Sequence, residues 1–249
     1  MNLLLHSPSN LVNPLARQRF MGFGTGSSGG PGLPALPAGL TNRWTAPSTG
    51  SDGDLIATFT DSSGGNHGTA SGSARGTLKT GANGLNGRNV VRFDGVANAY
   101  TLGSSIATTG DFTIIAVMKR NGTVAVSLGQ NSDFLPGHGR SATLALIGNG
   151  RGSNSGGYAE ASNSTTGWEI LSAAWSGNAA VRGQSNASTL SFGSTTVYGN
   201  TTPWNRIGQR GLTFGNNDLA DLLYWPSVLT AQQITDTHAN LNAYWGGIY

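Results

Sequence analysis

The run Asp111-Phe-Thr-Ile-Ile-Ala-Val-Met-Lys119 is the strongest constraint on what this chain can fold into. With the two-residue period of a strand it is apolar on both faces, Phe112, Ile114, Ala116 and Met118 on one, Ile115 and Val117 on the other. A strand of that kind is central in its sheet and covered on both sides, so the fold must stack layers. Asn89–Phe93, Thr123–Leu128, Ala142–Ile147, Trp168–Trp175 and Leu219–Trp225 read as further strands. Clusters of Gly, Asn and Ser separate them, as turns with positive φ require, and 39 of the 249 residues are glycine. Many short strands without βαβ alternation predict an all-β sandwich or barrel.

One helix interrupts this pattern at the carboxyl end. Thr230-Ala-Gln-Gln233 has the form of a capping box, the Thr230 hydroxyl taking an orphan amide while Gln233 reaches back. Ile234, His238, Leu241 and Trp245 then form one amphipathic stripe, and Gly246-Gly247 ends it. His238 on that stripe reads as a packed core or boundary residue.

Composition narrows the class. Charged residues make up 10% of the chain, against about 25% in a typical globular domain. The net charge is +3, and Lys79 and Lys119 are the only lysines, so there is no phosphate-tracking stripe and no nucleic-acid partner is expected. No cysteine is present, which excludes disulfides, thiolate metal sites and cysteine nucleophiles. The longest apolar run, Ile114–Met118, is far short of a bilayer span, so no membrane insertion is expected. The first twenty residues carry a Leu3-Leu4-Leu5 patch without a basic n-region or a convincing cleavage site, so the chain reads as made in a host cytoplasm and kept there or packaged from it into a virion.

A composition break falls near residue 40. Residues 22–39 are almost wholly Gly, Ser, Pro and small apolars, first Gly/Ser-flexible and then, with Pro31, Pro34 and Pro37, leaning to polyproline II. Upstream, Leu3, Leu4, Leu5, Leu11, Phe20 and Phe23 are too apolar for a solvated tail and too interrupted for a core. Residues 1–40 therefore read as an extended arm, with a disordered terminus and an anchor ordered on a partner as the alternatives, and residues 41–249 as the sandwich domain.

A set of segments in fixed order then carries a resemblance. These are Trp44; Asp61-Ser-Ser-Gly64 with Asn66; Arg88-Asn-Val-Val-Arg-Phe-Asp-Gly95; Asp111–Met118; Trp168–Trp175; Arg206-Ile-Gly208; Asp218–Trp225; and Leu229–Ile234 before the helix. Over residues 43–248 the chain resembles the LamG-like, concanavalin A-like lectin/glucanase superfamily, in the version found in bacteriophage and bacterial surface proteins. The resemblance implies a jelly-roll β-sandwich, but no single activity, because the fold carries lectins, glucanases, lyases and adhesion modules. Asp61 and Asp94 sit in turn formulas, with Gly95 free to take positive φ, and read as fold-making.

Four kinds of chemistry are open to a sandwich of this type. Retaining glucanases of this fold place two carboxylates on one strand, about 5–5.5 Å apart. Glu160 and Glu169, the only glutamates, form no such run, and the odd spacing of Asp218 and Asp221 points them to opposite faces of a regular strand. His67, His138, Tyr158, Arg140 and Gln209, the groups a lyase would need, are scattered, so no enzyme activity is expected. No cofactor is expected; the oxygen-rich turns Asp52-Gly-Asp54 and Asn216-Asn-Asp218 could supply some of the oxygens calcium needs, but Asp and Asn are also ordinary turn formers. Glycan binding would use the loop aromatics Trp204 and Tyr158, with Asn131, Asp133 and His138 in a polar loop; against it, Trp204 reads as a cap on the core edge.

The sequence expectation is thus a non-catalytic, oligomeric structural component of a phage virion, in a capsid decoration or a tail fibre. The arm would join it to other virion proteins, and the sandwich would be displayed, with host-surface glycan as a further partner. A carbohydrate-binding module not tied to a particle is the alternative, and a glycan-cleaving enzyme the remote one.

Overall fold

The computed structural model describes residues 35–107, 110–130, 137–140, 144–148, 158–162, 167–177, 179–191 and 203–249. Residues 1–34 of the arm, Leu3, Leu4, Leu5, Leu11, Phe20 and Phe23 among them, lie outside that set. Its last residues are described and lie on the domain, Leu36 and Leu40 packing against the core under the carboxyl-terminal helix and Pro37 O accepting from Trp225 Nε1. In chain order the first strands are β1 (Asn42–Thr45), β2 (Leu55–Ile56), β3 (Thr58–Asp61), β4 (Gly68–Thr69), β5 (Gly76–Gly81), β6 (Gly87–Asp94) and β7 (Tyr100–Ile106). They are followed by β8 (Phe112–Arg120), β9 (Ala125–Gly129), β10 (Gly137–Arg140), β11 (Leu144–Gly148), β12 (Tyr158–Ser162), β13 (Trp168–Ser176) and β14 (Ala179–Ser185). The last are β15 (Ser188–Leu190), β16 (Trp204–Ile207), β17 (Gln209–Arg210), β18 (Thr213–Phe214) and β19 (Asn216–Trp225), before the helix α1 (Ala231–Tyr244).

These strands build an all-β, jelly-roll-type sandwich in which the pairings are antiparallel. One layer runs β2–β5–β6–β19–β8–β13–β14–β15. The other runs β3–β4–β7–β16–β9–β10–β11–β12. Strand β1 pairs with both β19 and β3 and so ties the layers together at one edge.

The central strand has the two faces its sequence dictates. Phe112, Ile114, Ala116 and Met118 enter the core between the sheets, with Trp44, Phe59, Phe93, Tyr100, Trp175 and Trp204. Ile115 and Val117 face the other way, into a second core closed by Leu229, Ile234, Leu241 and Trp245. The first sheet is therefore covered on both sides, by the second sheet and by α1. The helix begins as its residues require, with the Thr230 hydroxyl accepting from Gln233 N and the Gln233 side chain accepting from Thr230 N. It ends at Gly246 and Gly247, both at positive φ. Among the described residues no helix is long and apolar enough to cross a membrane.

Candidate functional site

The aspartates of the turn formulas stay with the fold. Asp61 Oδ1 accepts from the amides of Arg43, Ser63 and Gly64, and its Oδ2 from Asn66 N and Asn42 Nδ2, at 2.7–3.1 Å. Burial would raise the Asp61 carboxyl, but these donors outweigh it and hold it below the usual carboxylate range. Asn66 continues the network, its carbonyl accepting from Trp44 Nε1 and its side-chain amide clasping the Ser104 backbone. Asp94 Oδ1 accepts from Val96, Ala97 and Asn98 N in a turn that Gly95 completes at φ 78°. The two oxygen-rich turns are filled from within the chain. Asp52 accepts from Thr80 N and Asn83 Nδ2 and pairs with Lys79, Asp54 accepts from Ser51 N, and Asn217 accepts from Val126 N. Among the described residues no three His, Cys, Asp or Glu side chains converge as metal ligands.

Of the residues singled out for glycan contact, the side chains of Trp204 and His138 are described, and both are buried. Trp204 is wholly buried at the start of β16, with its ring edge-on to Phe112 at 5.8 Å between centroids, so it offers no face to a sugar. His138, on β10, is also buried; its Nδ1 lies 2.7 Å from Ser127 Oγ, and its Nε2 has no partner. Burial pushes this imidazole down to about 3. A serine beside a histidine suggests a nucleophile, but both side chains are sealed from approach. Tyr158 opens β12, and its side chain lies outside what is described, as do Asn131 and Asp133 altogether.

The acid pair on β19 departs from its expected geometry. Leu219 opposes Met118 while Asp221 opposes Val117, so Ala220 is an extra residue, a β-bulge. The bulge cancels the odd spacing. Leu219 and Leu222 both enter the inter-sheet core, and Asp218 and Asp221 share the opposite face. Each is held by an arginine in a two-pronged pair, Asp218 by Arg92 at 2.6 and 2.8 Å, and Asp221 by Arg43. Asp221 also accepts from Trp245 Nε1 under the helix, and burial raises its carboxyl in spite of Arg43.

What remains open is the part of the second sheet's outer face over β3, β4 and β7; Val126, Ser127 and Gly129 of β9 are buried. Among the described residues nothing packs over β3, β4 and β7, and Thr58, Thr60, Thr69 and Thr101 project there exposed. The register sets Thr58 opposite Thr69, Thr69 opposite Thr101, and Thr101 opposite Arg206, a row across four strands. Beside its two middle members a cleft of about 330 Å³ is lined by Thr69, Ala70, Ser71, Ala74, Ala99 and Thr101. Its hydroxyls both donate and accept, and its alanines leave room for a ring-sized ligand. The sequence could not show this row, because it depends on which distant strands pair.

No protein-family model matches the chain, and no curated protein does. Solved structures do share its fold. The sialidase of Trypanosoma rangeli superposes with a TM-score of 0.56 at 16% identity, over 84% of this chain and 34% of that one. The same sialidase in complex with sialic acid gives 0.56 at 14%, over 86% and 35%. An arabinofuranosidase complexed with arabinofuranosyl-α-1,2-xylobiose gives 0.52 at 16%, over 76% and 51%. The chain thus spans about a third of the sialidase and about half of the arabinofuranosidase. At these identities the likeness shows the fold, a β-sandwich that occurs within carbohydrate-active chains.

Two expectations are corrected by this finding. The chain is not placed among non-catalytic virion components, and the expectation that it is no enzyme does not stand, because the structures sharing its fold are glycosidases by name.

Proposed function

We propose that this chain is a LamG-like, concanavalin A-like sandwich that engages glycans as part of carbohydrate processing. The observation that carries the reading is the hydroxyl-lined cleft on the uncovered part of the second sheet, built from Thr69, Ser71 and Thr101. The occurrence of the same fold in a sialidase and an arabinofuranosidase supports it. The remaining faces of the sandwich are committed, one sheet being closed on both sides by its partner sheet and α1.

The test is calorimetric titration of the full chain with galactan and arabinoxylan oligosaccharides. Saturable binding is expected, and Thr69→Val or Thr101→Val should each weaken it about 2- to 10-fold, the worth of one hydrogen bond. Both residues are exposed, so unchanged melting will separate lost contacts from lost fold. An absence of saturable binding would sink the reading.

A second reading, cleavage by the chain itself, is favoured by the bulge that brings Asp218 and Asp221 to one face. Both are buried, at 1% and 0% exposure, so either could act as acid or base only if its arginine gave way and the cover over that face opened. It predicts release of reducing sugar from the same oligosaccharides, lost on Asp218→Asn.

A further inference from the structure

We infer that the saccharide held on this face is anionic, and that Arg206 is the residue that selects it. The inference rests on the glycan reading above and adds the chemical class of the ligand. Arg206 sits directly opposite Thr101, which lines the cleft, and continues the row Thr58–Thr69–Thr101 onto β16. The neighbours in the row fix the side on which it lies. Trp204 and Ile207 of the same strand enter the inter-sheet core, as do their partners Ile106 and Tyr100, whereas Thr101 is exposed on the outer face. Directly opposed residues in an antiparallel pair have Cα atoms about 4.5–5.5 Å apart, so Arg206 stands next to Thr101 of the cleft without itself lining it.

Arg206 differs from the other sheet arginines in having no partner of any kind among the described residues: Arg88, Arg120 and Arg182 also lack an acid, but Arg88 lies over the Tyr244 ring and the other two donate to backbone carbonyls. Arg43 and Arg92 each grip an aspartate in a two-pronged pair. Arg206 enters no ion pair among the described residues, and its Nε is buried without a hydrogen-bond partner. A buried donor left unsatisfied in a native structure calls for an explanation. A planar guanidinium fork matches the two oxygens of a carboxylate, or two of a sulfate, more closely than it matches a lone hydroxyl. The threonine row beside it supplies paired donors and acceptors at the spacing of the strands, which suits the hydroxyls of the same ligand. A carboxylated or sulfated saccharide meets both demands, its acid on Arg206 and its ring over Thr101 and Thr69.

The experiment compares matched ligands on the full chain by calorimetry: lactose against sialyllactose, a galactose trimer against a galacturonate trimer, and a sulfated galactose trimer. Each acidic sugar should bind at least 10-fold more tightly than its neutral counterpart, and 0.5 M NaCl should reduce the gap. Arg206→Gln should erase most of this preference, about 10- to 100-fold, and leave neutral sugars unaffected, while Arg206→Lys should keep part of it. The carboxylated and sulfated arms show which acid the site takes. Equal affinity for neutral and acidic sugars would overturn the inference and leave the glycan reading standing; binding of none would overturn both. Acid preference unchanged in both folded variants would also overturn it, by placing the selecting cation elsewhere.

Discussion

At the scale of single residues, the burial of a carboxylate says little until its partners are counted. Asp61 is 3% exposed and accepts five hydrogen bonds, four of them from backbone amides of one turn and of β1. It replaces the water those amides would otherwise need, and it pins β1, which pairs with both sheets. Asp61→Ala leaves several buried donors unsatisfied at once and should cost about 3–5 kcal/mol. In urea unfolding the midpoint should fall with the slope unchanged; a shift within the scatter of surface variants would refute this role. Asp61→Asn, which keeps an acceptor oxygen, should lose less. Trp204 carries the opposite lesson. Between a proline and an asparagine it reads as a loop residue, yet the bulge between Trp204 and Arg206 lets Trp204 and Ile207 both enter the core. Strict alternation does not describe such a strand; of the two sequence readings of Trp204, loop aromatic and cap on the core edge, the buried ring matches the second.

At the scale of elements, local chemistry was legible and long-range pairing was not. The faces of β8 followed from its period, because side chains alternate whatever the partner strands are. The start of α1 followed from Thr230 and Gln233, because a capping box is complete within four residues. Its value can be tested: Thr230→Ala should cost about 1 kcal/mol and lower Tm by about 2–4 °C. No change would mean that packing of Ile234 and Leu241 alone fixes the helix start. The bulge at Ala220 had no such signature, since alanine fits a regular strand equally well, and Asp218 and Asp221 were therefore assigned to opposite faces. The threonine row was hidden for a related reason. Thr58, Thr69, Thr101 and Arg206 are far apart in sequence and meet only through pairings that span the fold.

At the scale of the whole molecule, the two buried histidines set how stability responds to acid. His138 lies within the second sheet beside Ser127. His238 lies on α1, its Nδ1 3.0 Å from the Asn186 carbonyl. Burial pushes their imidazoles down from 6.5 to about 3 and about 4. In the unfolded chain both bind protons near 6.5, so below that pH the unfolded state takes up protons that the folded state refuses. Stability is full above about pH 6.5 and falls as the pH drops toward 4, by at most about 1.4 kcal/mol per pH unit for each histidine. Asp61 and Asp94, held below the usual carboxylate range, extend the loss to lower pH, because their contribution disappears as they are protonated. Asp221 opposes the trend, since burial raises its carboxyl and favours protonation in the folded state. Burial also raises Tyr224, to about 12, and Tyr100, so stability declines again once the pH passes the ordinary phenol value of 10.0. Urea midpoints measured from pH 8 to pH 4.5 should therefore be level to about pH 6.5 and then fall steeply. His138→Gln with His238→Gln should flatten the fall between pH 6.5 and 4.5. A midpoint that stays level to pH 4.5 in the parent chain would mean that the imidazoles are hydrated in the folded protein, and that the interior around them is wetter than its packing implies.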